Sequence, residues 1–270
     1  MQESKNGINY TVHGDGAPVI LIHGMAASLY DWEALMPALA ASGYRAYALD
    51  LPGHGESAKP DDPGYYTAQS VYNQVNAWIE SLGLTQPPIL VGHSLGGYFA
   101  IQFSLLCPQG LRALVLIDPF YTLQQISPIL RMFNRRPELS SKVLGLIPEW
   151  LVNFVMGMDP ISKNSYTETA RRHIADDYKR ASPCIMYTPA SIVDLTPQLW
   201  KIVTPTLVIW GQRDLTLARS SFPRLVEKIP KASGYPLPGC GHQPHIGRPK
   251  LIHQLLLEFF ERLPVDDDLG

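Results

Sequence analysis

Short apolar runs bounded by turn residues alternate along this chain with longer stretches whose apolar side chains return every three or four positions. Pro18–His23, Arg45–Asp50, Pro88–His93, Arg112–Asp118 and Thr206–Trp210 are of the first kind. Each is short and apolar at consecutive positions, the pattern of a strand covered on both faces. Val71, Val75, Ile79 and Leu82 share one helical face that ends at Gly83, a residue suited to a C-terminal cap. Near the end of the chain Leu251, Leu255 and Phe259, with Ile252, Leu256 and Phe260, form a broader stripe. This alternation predicts an α/β fold whose parallel sheet is joined by right-handed crossovers. Ile8–His13, ahead of Gly14-Asp15-Gly16, reads as an antiparallel strand turning into the first buried one.

The rhythm breaks in the middle. Between Pro119 and Lys201 no buried-strand run occurs, and helical stretches are punctuated by Pro128, Pro137, Pro148, Pro160, Pro183, Pro189 and Pro197. Residues 1–118 and 202–270 are therefore expected to form the core, with 119–201 as a helical cap, or lid. Ser165-Tyr166-Thr167-Glu168 has the form of a capping box opening one of its helices. Val265–Gly270 reads as a frayed tail.

Composition narrows the function. The 270 residues are 46% hydrophobic and carry 22 basic against 24 acidic side chains, a net charge of -2. Without a cationic excess, nucleic acid is not an expected partner. Cys107, Cys184 and Cys240 form neither a disulfide framework nor a C-x-x-C motif. No window approaches the ~20 apolar residues of a membrane span, and the N-terminal stretch lacks the pattern of a signal peptide. The expected location is cytoplasmic.

One segment concentrates chemistry. The run Ile89–His93 leads straight into Gly92-His93-Ser94-Leu95-Gly96-Gly97, and a helical pattern follows. In so tight a strand-turn-helix, Gly92 and Gly96 are needed where backbones approach closely, and Ser94 projects from the sheet edge at a helix N-terminus. The bare G-x-S-x-G spacing is expected by chance about 0.1 times in such a chain, so its flanks carry the argument. A nucleophilic serine needs a base, and the base an orienting acid. His242, in Pro238-Gly239-Cys240-Gly241-His242 after the last expected strand (Ser233–Leu237), is the candidate base, with His245 as fallback. His93 is expected to pack behind the turn. Asp214, just beyond the Thr206–Trp210 strand, is the favoured acid, and Asp118 competes from the end of the preceding strand. The loop His23-Gly24-Met25-Ala26-Ala27-Ser28 offers the Met25 amide beside that of Leu95 as an oxyanion hole.

Together with Asp50-Leu51-Pro52-Gly53-His54-Gly55-Glu56-Ser57 and Gly211-Gln212-Arg213-Asp214, these motifs resemble the serine-nucleophile branch of the α/β-hydrolase superfamily over nearly the whole chain. The resemblance implies a mostly parallel eight-stranded sheet with helices on both faces and a helical cap between strands 6 and 7. It implies Ser94, Asp214 and His242 as the triad, with no metal and no cofactor. One departure is Arg248 before Pro249, where relatives often carry an acidic residue. Dehalogenases and epoxide hydrolases of similar fold use an aspartate nucleophile, so a carboxylesterase acting on an ester of a small or medium, largely apolar substrate is the expected activity. Carbon-carbon bond hydrolases, perhydrolases or haloperoxidases, amidases and acyltransferases are alternatives on the same triad, and a slow-turnover small-molecule receptor is the non-catalytic one. Met132, Phe133, Leu144, Ile147, Trp150, Phe154 and Met156 are candidates for an apolar acyl pocket, as well as for packing within the cap.

Overall fold

Consecutive apolar residues in the short runs are explained by a sheet packed on both faces. The computed structural model describes residues 2–3, 6–146 and 166–264. Its strands are β1 (Gln2–Glu3), β2 (Asn9–His13), β3 (Ala17–Ile22), β4 (Tyr44–Leu49), β5 (Ile89–His93), β6 (Ala113–Ile117), β7 (Thr206–Gly211) and β8 (Ala232–Leu237). They form one sheet in the order β1-β2-β4-β3-β5-β6-β7-β8. Every pairing from β4 to β8 is parallel, and β2 lies antiparallel against β4.

The helices are α1 (Leu35–Ala41), α2 (Ala68–Ser81), α3 (Leu95–Leu106), α4 (Pro128–Asn134), α5 (Pro137–Leu146), α6 (Glu168–Arg180), α7 (Tyr187–Ala190), α8 (Ser221–Lys228), α9 (Pro244–Gly247) and α10 (Pro249–Phe260). Val19 and Leu21 of β3 share a buried cluster with Leu35 and Leu39 of α1 and Ile252 and Leu256 of α10. Ile20 and Ile22, one residue out of phase, join Val75 and Trp78 of α2, Phe99 of α3 and Leu225 of α8. A period of two on a sheet with two covered faces therefore reads as an unbroken apolar run. Each fully buried Ile or Leu contributes about 2 kcal/mol of transfer free energy.

Two local expectations are corrected. β2 does not turn into β3 as a hairpin; it pairs with β1 and β4, and β4 lies between β2 and β3. Parallel pairing of β3 with β4 takes that edge of β3, which leaves β2 the outer edge of β4. The helix expected to open from Ser165 begins at Glu168 instead: Thr167 is extended and its hydroxyl accepts from the Ala170 amide at 3.1 Å. Ser165 itself, like Val265–Gly270, lies outside the described residues.

Between β6 and β7 the described residues carry only helices and turns, as expected. Of the side chains proposed to line a pocket, Met132 is exposed. Those of Phe133 and Leu144, with residues Ile147, Trp150, Phe154 and Met156, lie outside the described part. Among the described residues no helix is long and apolar enough to cross a membrane.

Candidate active site

The sheet itself brings the candidate groups together. Ile22 and Gly92 are register partners on adjacent parallel strands, so the loops leaving β3 and β5 start side by side. Strand order also reverses here, β4 lying on one side of β3 and β5 on the other. Such a reversal opens a crevice at the C-terminal edge of a parallel sheet.

At the end of β5, Ser94 has φ 49° and ψ -115°, a conformation that costs a non-glycine residue of order 1–3 kcal/mol. The surroundings enforce it. A Cβ at Gly92 would lie 2.5 Å from the Gly96 carbonyl oxygen, and one at Gly96 only 2.2 Å from that of Ile22. The Ser94 amide donates to Ile117 O at 3.1 Å, and its carbonyl accepts from Gly97 N and Phe120 N, each at 2.9 Å. Held by its main chain, Ser94 turns its hydroxyl to His242, with Oγ 3.0 Å from Nε2.

His242 lies on the loop between β8 and α9. This loop presses so closely on the end of β7 that a Cβ at Gly211 would fall 2.0 Å from Gly241 O. Across that contact His242 Nδ1 donates to Asp214 Oδ2 at 2.8 Å. The assignment follows from the carboxylate being able only to accept, and it leaves Nε2 as an acceptor for the Ser94 hydroxyl. The second Asp214 oxygen accepts from Thr216 N (2.6 Å) and Leu217 N (3.0 Å). Burial by itself would raise the Asp214 pKa; the His242 ring beside it, their hydrogen bond and the two amides outweigh that and hold the carboxyl below its ordinary range. Asp214 is wholly buried while the His242 side chain is 17% exposed, so the candidate acid is shielded and the candidate base open to solvent.

The loop after β3 lies against the same serine. A Cβ at Gly24 would meet Ser94 Cβ at 3.1 Å. His23 pins this loop: Nδ1 donates to Gly24 O at 2.7 Å and Nε2 accepts from Leu51 N at 2.9 Å. Among the described residues, neither the Met25 nor the Leu95 amide has a protein acceptor.

The competing candidates lie close by but make other contacts. Asp118, with φ 41°, accepts from the Gly211 amide at 2.9 Å and braces the start of the Asp214 loop. His245 is buried, with Nε2 3.6 Å from Asp31 Oδ2 and its ring over Trp32. His93 packs behind the turn, as expected, but also donates from Nε2 to the His242 carbonyl at 2.8 Å. Asp50 has no chemical role in view: Asn9 of β2, Leu29 N and Glu56 N bond its carboxylate and tie three segments together. Sequence reasoning missed the pairing of Ser28 Oγ with the buried Asp177 of α6 at 2.6 Å. Nothing local signals it, since the partners are 149 residues apart. Among the described residues two sets, Asp118 with Asp214 and His242, and Asp31 with His93 and His245, place ligand-type atoms within 4.8 Å of one another. In the first, Asp214 and His242 are already bonded to each other, which accounts for their closeness.

Residues 17–249 match the family model described as alpha/beta hydrolase fold. Over 268 aligned residues the chain is 28% identical to a 2-hydroxy-6-oxo-6-(2'-aminophenyl)hexa-2,4-dienoic acid hydrolase of Metapseudomonas resinovorans, covering 94% of this chain and 87% of that protein. It is 22% identical to bifunctional epoxide hydrolase 2 of Sus scrofa, matching 94% of its own residues but spanning only 53% of that relative. The solved structure of a thermophilic esterase from Thermogutta terrifontis superposes with a TM-score of 0.81 at 25% identity, covering 94% of this chain and 93% of the other. The family match runs from the start of β3 to the start of α10 and so takes in every candidate site residue; the chain belongs to the α/β-hydrolase fold family.

Proposed function

We propose that this protein is a serine hydrolase that cleaves carboxylic esters of small or medium, largely apolar substrates. The reading rests on the hydrogen-bonded line from Ser94 Oγ through His242 to Asp214 at the reversal point of the sheet. In this mechanism His242 Nε2 takes the Ser94 proton as Oγ attacks the ester carbonyl. Asp214 holds the imidazole in the required tautomer and stabilises its charged form. The oxyanion that develops is received by the Met25 and Leu95 amides, each worth about 3 kcal/mol in comparable sites. Collapse expels the alcohol, which takes the proton from His242. Water, activated by the same histidine, then releases the acid and restores Ser94.

Position 94 holds an alcohol rather than a carboxylate, which sets the chain apart from the aspartate-nucleophile chemistry of dehalogenases and epoxide hydrolases. We assign residues 119–201 as a cap over this site. The contact of Tyr166 Oη with Gln243, next to His242, and that of Asp177 with Ser28 support the assignment. A second reading, carbon-carbon bond hydrolysis on the same three residues, draws on the likeness to the hydrolase named for a hexadienoic acid.

A fluorophosphonate probe and a panel of p-nitrophenyl esters test the proposal. Labelling at Ser94 with ester turnover is expected; labelling without turnover of any ester favours the receptor or carbon-carbon readings. Absence of labelling on a folded protein removes Ser94 as nucleophile.

A further inference from the structure

Behind the serine turn lies a row of four aromatic rings. Trp32 packs on His245 with centroids 4.7 Å apart, His245 on His93 at 4.3 Å, and His93 on His242 at 4.9 Å. The rings come from different places. Trp32 follows the loop that carries Met25, His93 directly precedes Ser94, and His245 lies on α9, just beyond His242. Trp32, His93 and His245 are each no more than 2% exposed. The row therefore links the segment after the Met25 loop, the serine turn and the loop that carries His242.

His93 is the only member of the row with a hydrogen bond to the loop carrying the base. Its Nε2 donates to the His242 main-chain carbonyl, which fixes the proton on that nitrogen and leaves Nδ1 without a partner. Burial, and after it the neighbouring His245 and His242, hold the ring well below the ordinary histidine pKa. A neutral ring is what this position requires. A second cation here would oppose the charge that His242 takes up when it accepts the serine proton.

We propose that His93 is a positioning residue for the reaction: by bonding the His242 carbonyl and standing between the His242 and His245 rings, it locks the base-bearing loop to the nucleophile turn. The inference rests on the hydrolase reading and adds to it a role for a residue that touches neither substrate nor the reacting atoms. Misplacing a reacting group by about 1 Å costs on the order of 100-fold in rate, so a strut at this junction has a measurable effect.

The test compares His93→Phe, which keeps a ring but no donor, with His93→Gln, which keeps a donor able to reach a carbonyl. Expected for His93→Phe is a fall in kcat on p-nitrophenyl acetate, and in the rate of fluorophosphonate labelling, of about 10- to 100-fold with KM within about twofold. His93→Gln should recover most of the loss. Wild-type rates in His93→Phe, or equal losses in both variants that track a lower melting temperature, overturn the proposal. If His93→Phe does not melt cooperatively, His93→Met takes its place, with a chain flexible enough to fill the site. Proton NMR of the His242 Nδ1–H supplies a readout independent of turnover. Its resonance should move or broaden in His93→Phe and stay near its wild-type position in His93→Gln, and an unmoved resonance in both argues against the strut. Failure of the wild-type protein to label at Ser94 strikes the hydrolase reading, while the NMR comparison still decides whether His93 orients His242.

Discussion

Around Ser94 the backbone approaches itself so closely that no side chain fits at Gly92, Gly96 or Gly211, whereas α6, in the stretch between β6 and β7, is tied to the core by side chains. Asp177 accepts from Ser28, Arg180 reaches both Asp177 and Glu56, and His173 stacks on Tyr30 at 4.6 Å. Main-chain contact fixes a geometry within tenths of an ångström and tolerates no added atom. Side-chain ties, some of them exposed ion pairs worth at most about 1 kcal/mol each, can be changed one at a time.

Substitutions sharpen that contrast. The largest effect is expected for Ser94→Ala, which should lower ester hydrolysis by about 10⁴-fold or more with an unchanged melting profile. Activity near that of the wild type would remove the serine from the mechanism. Asp214→Asn should cost about 10³- to 10⁴-fold in kcat, since the amide selects the wrong imidazole tautomer. Asp118→Asn should cost far less, because Oδ1 can still accept from Gly211 N. Steady-state kinetics on the pair would reassign the acid if the order were reversed.

Gly96→Ala tests the backbone side of the comparison. Its Cβ would overlap the Ile22 and His23 carbonyls, so a loss of about 3 kcal/mol in urea unfolding is expected, in keeping with severe overpacking. A variant as stable as the wild type would show that the turn can relax.

Acid should act oppositely on the two regions. Burial, then the neighbouring His23, lowers the pKa of His54 in the core to about 3. Between that value and the unfolded pKa of ~6.5 the unfolded chain binds the extra proton, so stability falls as pH falls, by about 2–3 kcal/mol from pH 6.5 to 4.5. Asp177 has the other sign: burial raises its pKa despite the bonds from Ser28 and Arg180, so protonation relieves a folded-state penalty. Melting temperature against pH should therefore drop on the acid side in the wild type and drop less in His54→Asn. Identical acid limbs would discount His54. The smallest effect is expected for Asp177→Asn, a loss of under about 1 kcal/mol, because removing a buried charge offsets the weakened bonds to Ser28 and Arg180. If 119–201 is a cap, KM should change more than kcat.

Much of this molecule is legible in its sequence. Both faces of the sheet are covered, so the strands stand out as unbroken apolar runs, and the turn glycines announce close approach. The predicted face of α2 also largely matches: Val71, Val75 and Ile79 are buried, Leu82 caps the helix half-buried, and Gly83 follows with φ 58°. The two-residue β1 in a polar N-terminal stretch gave no such signal, because an edge strand that short needs no apolar pattern. Nor did the order of strands at that edge, which depends on what already flanks β3.

The linear sequence determined the strand-helix alternation, the strained serine turn and the pool of acids and bases, because period, glycine spacing and side-chain chemistry are local properties. Only the tertiary structure decided which of them meet. Asp214 reaches His242 while Asp118 braces Gly211, and His93 ties the nucleophile turn to the histidine loop through a carbonyl 149 residues away. Such pairings depend on sheet register and on how closely separate loops pack, and neither is written in any short stretch of residues.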